Sequence, residues 1–262
     1  MPFILNGLNY SHFDLFDNSQ IRKFVEEVEP ELIEATLSRI NRFAGQRAEY
    51  SVLQHCIFCY LIATKIFSAM NVVLNRKGQV IYEDFIDECL FHDVEESVTG
   101  DIITPVKKHL SDNAHLAIEN LRLSFYNHLG IKANDLVHKV DNLAFHFEDL
   151  VIPLPGFDLK NEVKDEKVDI IYQAFCSTFY AIKFSLEPYF ESGTLVNKYL
   201  IKRPIFKSNI LDIKANPPSE VEVMSFLQDC YGLSHSFITE YKENQQATPF
   251  LSRWNRRVLI LS

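Results

Sequence analysis

At 262 residues, 47% hydrophobic and 23% charged, the chain has the length and balance of one large globular domain, or of a domain with an appendage. Its 8 glycines and 10 prolines, with no sustained polar tract, exclude long disordered linkers. A net charge of −9 argues against duplex DNA as a main partner but leaves a small anionic substrate open, because one cation in a cleft reverses the local sign.

The first residues, MPFILNG, carry no cationic region and no long apolar core, so no secretory leader is expected. The longest apolar stretches, such as residues 56–63, are read as too short to span a bilayer, and no membrane partner is expected. Five cysteines without scaffold spacing point to a reducing, cytoplasmic compartment. A first helix is expected at about 30–43, with Pro30 in its first turn and Leu32, Ala35, Leu37 and Ile40 at helical spacing. Gly45 interrupts it. A second, apolar almost all round, runs from about Ala48 to Met70.

Asn75 to Gly78 reads as a turn, and Tyr82 to Phe91 as a third helix. Ser111 or Asp112 caps a helix that Gly130 ends after Leu129. Another helix covers about 134–150, stopped by Pro153 and Pro155. Residues 162–190 are again amphipathic to strongly apolar, and Ser219 with Glu222 forms a capping box for a last helix towards Tyr231. The basic run Arg253-Trp-Asn-Arg-Arg257 reads as a solvated tail, and the Phe-rich C-terminal part as core or dimer interface. The chain is thus expected to be all-α, a helical bundle with at most brief strands.

Three segments carry metal-binding chemistry. His92-Asp93 ends one helix and is followed by Glu95, Glu96 and Asp101, while His55 and Asp141 each sit mid-helix. Imidazole with carboxylate suits first-row divalent metals, and ligands from three helices can meet in a bundle core. Taken singly, each has a plainer explanation: a buried histidine with a backbone partner (the reading for His109, His115, His128, His138 and His146), or a solvated aspartate. Cys56-x-x-Cys59 with Cys89-x-x-His92 has zinc spacing on paper, but an apolar helical run makes Cys56 and Cys59 small hydrophobes.

The order His55, His92-Asp93, Asp141 resembles the H…HD…D signature of the HD-domain phosphohydrolases. Arg42-Phe43-x-Gly45 with Tyr50-Ser-Val-x-Gln-His55 resembles their RF-x-G…YSVAQH segment, and residues 91–107 (FHDVEESVTGDIITPVK) resemble their HD-x-x-E…GD…P-x-K segment. Bacterial 5′-deoxynucleotidases and phage deoxynucleoside triphosphate triphosphohydrolases share both. The resemblance covers about 30–150. It implies an HD-domain core at 1–150, a helical insertion of unknown role at 151–215, and a C-terminal helix and tail at 216–262 packing on the core.

It implies roles as well. His55, His92, Asp93 and Asp141 would hold one divalent ion (Mn, Co, Zn, Fe or Mg). Glu96 would position or deprotonate the attacking water, and Asp101 would orient water or protonate the leaving oxygen. Arg42 and Lys107 would neutralise phosphate, and Phe43, where relatives often have Trp, would stack on base or sugar. His138 replaces a Lys often found shortly before the last Asp. The activity implied is hydrolysis of a nucleotide 5′-phosphate ester, with a monophosphate nucleotidase and a dNTP triphosphohydrolase as its two forms and a homodimer or higher oligomer as its assembly. A nucleotide sensor without turnover is the reading from another class, and the complete ligand set with Glu96 argues against it.

Overall fold

The computed structural model describes residues 3–5, 8–10, 14–47, 49–70, 72–152, 161–191, 217–244 and 248–261. Their regular elements are helices apart from one short antiparallel pair of strands, β1 (Phe3–Leu5) and β2 (Leu8–Tyr10), with Phe3 opposite Tyr10. The helices are α1 (Asn18–Glu27), α2 (Pro30–Leu37), α3 (Val52–Met70), α4 (Arg76–Phe91), α5 (Glu96–Thr99), α6 (Thr104–Lys107), α7 (Asp112–Leu129), α8 (Val137–Val151), α9 (Asn161–Leu186), α10 (Glu220–Asn244) and α11 (Pro249–Leu261). Tight turns of 3-10 geometry occupy Phe43–Gly45 and Glu187–Tyr189.

Local chemistry accounts for most of the helix ends. The Asp17 carboxylate accepts from Ser19 N at 2.8 Å and opens α1. Ser111 Oγ accepts from Ala114 N at 3.3 Å at the start of α7, and Gly130, at φ 62°, closes it in the left-handed conformation glycine adopts freely. At α10 both halves of the capping box form: Ser219 N donates to Glu222 Oε2 at 2.9 Å, and Glu222 N donates to Ser219 Oγ at 3.3 Å.

Other boundaries differ from the sequence reading. The first expected helix stops at Leu37, and the chain turns through Ser38–Asn41 into extended backbone at Arg42. The second begins at Val52 rather than Ala48, because Asn41 and Ser51 pair as an antiparallel bridge with Arg42 N donating to Tyr50 O at 2.8 Å. The turn expected at Asn75 to Gly78 is instead the start of α4, where Asn75 Oδ1 accepts from Gly78 N at 2.9 Å. Gly78 lies inside that helix because a Cβ there would come within 2.5 Å of the Tyr189 Cβ. The last expected helix runs on to Asn244, and α1 had no counterpart in the reading. Of the segment 151–215, residues 161–191 are described; 153–160 and 192–216 lie outside the described residues.

The chain divides into two compact units, with boundaries inside α3, α4 and α10. In the first (residues 1–56, 90–132 and 237–262), α1 packs on α7, α2 on α5 and α11, and α11 on α7. Its core is aromatic: Phe24, Phe91, Phe125, Phe250 and Trp254 are all buried. In the second (57–89 and 133–236), α8 packs on α9, with Phe58, Phe147, Phe175, Phe179 and Phe226 inside.

Two expectations are corrected here. α3, at 19 residues, is long and apolar enough by length and composition to cross a membrane, yet His55 and its apolar neighbours are core residues. The run Arg253 to Arg257 is part of α11, and Trp254 is 2% exposed against Phe91, Phe125 and Phe250, with ring centroids 5.9, 6.0 and 5.8 Å away. A tryptophan packed among three phenylalanines, two of them edge-on, contributes large apolar burial as well as ring geometry. Trp254→Ala is therefore expected to destabilise the protein by about 3–5 kcal/mol, read as a lower urea midpoint by circular dichroism.

Candidate active site

α4 ends at Phe91, and the next four residues form a run of tight turns leading into α5. Glu96 N donates to Asp93 O at 3.0 Å and Gly100 N to Glu96 O at 2.8 Å. This compact turn presents His92, Asp93 and Glu96 from one short stretch, and α3 presents His55 from mid-helix. His55 is 0% exposed and His92 6%.

The two imidazoles face each other with Nε2 atoms 3.2 Å apart, and Asp93 Oδ2 lies 3.4 Å from His92 Nε2 and 3.8 Å from His55 Nε2. Ligands held about 2.0–2.1 Å from one cation at octahedral to tetrahedral angles are themselves roughly 2.9–3.4 Å apart. The His55–His92 and His92–Asp93 spacings fall in that range; the His55–Asp93 spacing requires a wider angle. Cys59, on α3, and Asp141, on α8, belong to the second unit. The donor set therefore suits a divalent ion of the first transition row.

Charge is layered around these groups. Arg42 Nη1 donates to Asp93 Oδ2 at 3.0 Å, and Lys107 Nζ donates to Glu96 Oε1 at 3.3 Å. Burial, and then the Asp93 carboxylate, raise Glu96 to about 9; Lys107 and Arg42 oppose the rise and Asp101 adds to it. Burial lowers the Lys107 ammonium, but Glu96 and Asp93 outweigh it and leave Lys107 above its usual range. Glu95 is buried too, raised to about 8 by desolvation and Asp93. Arg122, itself held by Glu119 at 2.6 and 2.7 Å, opposes that rise from α7. At 6% exposure, Glu95 is a buried carboxylate rather than a surface charge.

The segment following Arg42 has an uncommon backbone. Phe43, Ala44 and Gly45 have φ of 60°, 50° and 71°, three left-handed residues in a row, two of them bearing a Cβ. Non-glycine residues held this way cost of order 1–3 kcal/mol each and persist where the surroundings over-determine them. The surroundings here are visible. Arg42 N is tied to Tyr50 O, Ala44 N donates to Asp101 Oδ2 at 3.2 Å, and the Arg47 guanidinium lies 4.5 Å over the Phe43 ring.

Arg42, His55, His92, Asp93, Glu96, Asp101 and Lys107 thus belong to one neighbourhood of the first unit, with Phe43 on the adjoining turn. Asp101 turns one oxygen onto the backbone of that turn. In the second unit, burial and then Cys59, Glu88, Asp141 and Asp87 push the Cys89 thiol well up. Cys59 was read only as a hydrophobe, and it is fully buried. Its place one turn beyond His55 on α3 was the signal that it shares the face of that ligand. His109, His115 and His138 are exposed and His128 and His146 half-buried, so none is the buried histidine that had been expected.

Residues 18–121 match the family described as 5′-deoxynucleotidase YfbR-like, an HD-domain family. No curated protein matches the chain.

Proposed function

We propose that this chain, whose residues 18–121 match the 5′-deoxynucleotidase YfbR-like family, is an HD-domain phosphohydrolase that hydrolyses the 5′-phosphate ester of deoxynucleoside monophosphates. The observation that carries this reading is the pair of buried imidazoles, Nε2 to Nε2 at 3.2 Å, beside a buried carboxylate and two cations. Hydrolysis of a phosphate monoester needs a polarised phosphorus, a held water and neutralised phosphoryl oxygens, and this neighbourhood has a residue for each.

His55, His92, Asp93 and Asp141 are the proposed ligands of one divalent ion, which supplies Lewis acidity for the phosphoryl centre and for the water. Glu96 accepts the water's proton as the water oxygen bonds to phosphorus, and passes it to the 5′-oxygen as the P–O bond to that oxygen breaks, so that the nucleoside leaves as the hydroxyl. Lys107 holds Glu96 by its Oε1 and, with Arg42, offsets negative charge on the phosphoryl oxygens. Phe43 stacks against base or sugar. Mn, Co, Zn, Fe and Mg are the candidate ions, and nitrogen ligands favour the transition metals over Mg.

Cleavage of a dNTP to nucleoside and triphosphate breaks the same ester bond and is the second reading. Product analysis on a panel of deoxynucleoside mono- and triphosphates with Mn, Co, Zn and Mg separates the two. Inorganic phosphate from monophosphates is expected; triphosphate from dNTPs transfers the assignment. No hydrolysis of any nucleotide with any of these ions removes both and leaves the sensor reading.

The remaining parts of the reading are a cytoplasmic setting, supported by five free cysteines, and a homo-oligomer, supported by the exposed Ile170 and Phe184 on α9. The 1–150 core with an insertion at 151–215 and a C-terminal part at 216–262 stays a proposal about organisation. The net charge of −9 supports a small-molecule substrate rather than duplex DNA.

A further inference from the structure

We propose that Asp101 acts in this site as a positioning residue, clamping the left-handed turn Phe43–Gly45 so that Arg42 and Phe43 are set before a nucleotide arrives. The proposal rests on the nucleotide phosphohydrolase reading for what the turn does, but the clamp itself rests on separate geometry.

The turn is held from both ends. At its base, Asn41 bridges Ser51 and Arg42 N donates to Tyr50 O at 2.8 Å. At its tip, the exposed Ala44 gives its N–H to Asp101 Oδ2 at 3.2 Å, across 57 residues of sequence. Within the turn, Gln46 N donates to Phe43 O at 3.0 Å, and Gly45 N to Arg42 O at 3.4 Å. Two successive Cβ-bearing residues at φ 60° and 50° return to the right-handed or extended regions unless something outside the turn holds them. Within the described residues, the Asp101 carboxylate is the group seen bonding the Ala44 amide. Gly100 immediately before it, at φ 74°, ends α5 and directs the chain into Asp101.

What the clamp sets is functional. Arg42, the residue before the turn, has its guanidinium 3.0 Å from Asp93, and Phe43 carries the ring proposed to meet the base or sugar, with Arg47 over its face at 4.5 Å. If the turn relaxes to ordinary φ values, Phe43 changes direction and Arg42 loses its approach. Preorganising both keeps the ordering entropy out of the binding step. The role differs from donating a proton to the leaving oxygen: a clamp needs an acceptor oxygen and no ionisable proton.

Three forms of the full-length protein test this: wild type, Asp101→Ala and Asp101→Asn. Two readouts are taken. One is the rate of limited tryptic cleavage at Arg42 and Arg47, which flank the turn and report its opening whether or not the protein turns over. The other is the split between kcat and KM for the nucleotide hydrolysed best in the panel. Asp101→Ala is expected to speed cleavage at Arg42 and Arg47 about tenfold and to raise KM at least about tenfold, with a smaller fall in kcat. Asp101→Asn keeps an amide oxygen for the Ala44 N–H and is expected to recover the greater part of both losses. Protection that is unchanged in Asp101→Ala overturns the clamp. So does an Asp101→Asn variant whose turn stays protected while kcat falls as far as in the alanine form, because Asp101 then acts through its proton. If wild type hydrolyses no nucleotide, the functional reading fails, yet the tryptic comparison still decides whether Asp101 holds the turn.

Discussion

His92→Ala is expected to abolish both metal retention and turnover, the largest single loss anywhere in the chain. The imidazole is 6% exposed, and its Nε2 stands 3.2 Å from that of His55 and 3.4 Å from Asp93 Oδ2, the centre of the proposed ligand group. Loss of the ion removes several kcal/mol of charge stabilisation, roughly a thousandfold or more in kcat. Metal content after dialysis, measured by elemental analysis, is expected to fall from about one ion per chain to background. Circular dichroism of the same variant checks that the loss is of the ion and not of the fold. Full metal retention with full activity would falsify the ligand assignment.

Glu96→Gln separates the acid–base role from metal binding. Glutamine matches glutamate in shape and keeps an oxygen for Lys107 Nζ, but it cannot accept a proton from water. Turnover is expected to fall by about 10²–10⁴-fold, the usual contribution of a positioned general base, while metal stoichiometry and unfolding midpoint stay close to wild type. Without an ion, burial at 2% exposure and the Asp93 and Asp101 carboxylates raise Glu96 to about 9, against the opposing Lys107 and Arg42 cations; a bound divalent cation would oppose that rise and favour the ionised form that a general base needs. A rate equal to wild type would reassign the base, with Glu95, buried in the same turn and raised to about 8, as the next candidate. The two variants therefore have distinct signatures. One loses the ion and the reaction together; the other loses the reaction alone.

Much of this was legible in the chain because the determinants are local. Ser111 and Gly130 bound α7, and Ser219 with Glu222 opens α10, since capping needs only groups three or four residues apart. The all-α class followed from apolar spacing, and the HD signature with its flanking segments pointed to His55, His92, Asp93, Glu96 and Lys107. Each of the five approaches another of the group: His55 meets His92, Asp93 lies beside both imidazoles, and Lys107 bonds Glu96.

Where residues distant in sequence decide the outcome, the reading failed or was silent. Trp254 looked like part of a solvated basic tail, and only packing of α11 on α2 and α7 makes it core. Gly78 reads as a turn until Tyr189 is seen to occupy the space a Cβ would need. Neither Phe43 nor Ala44 has a propensity for left-handed backbone; their conformation is imposed by Asp101 and Tyr50 from elsewhere in the chain. The sequence by itself determined the helices, their caps and the kinds of group available for chemistry, because those depend on spacing along one strand of chain. Which groups meet, which are desolvated and which backbone is strained were decided by tertiary structure, because each is a property of neighbours that spacing does not specify.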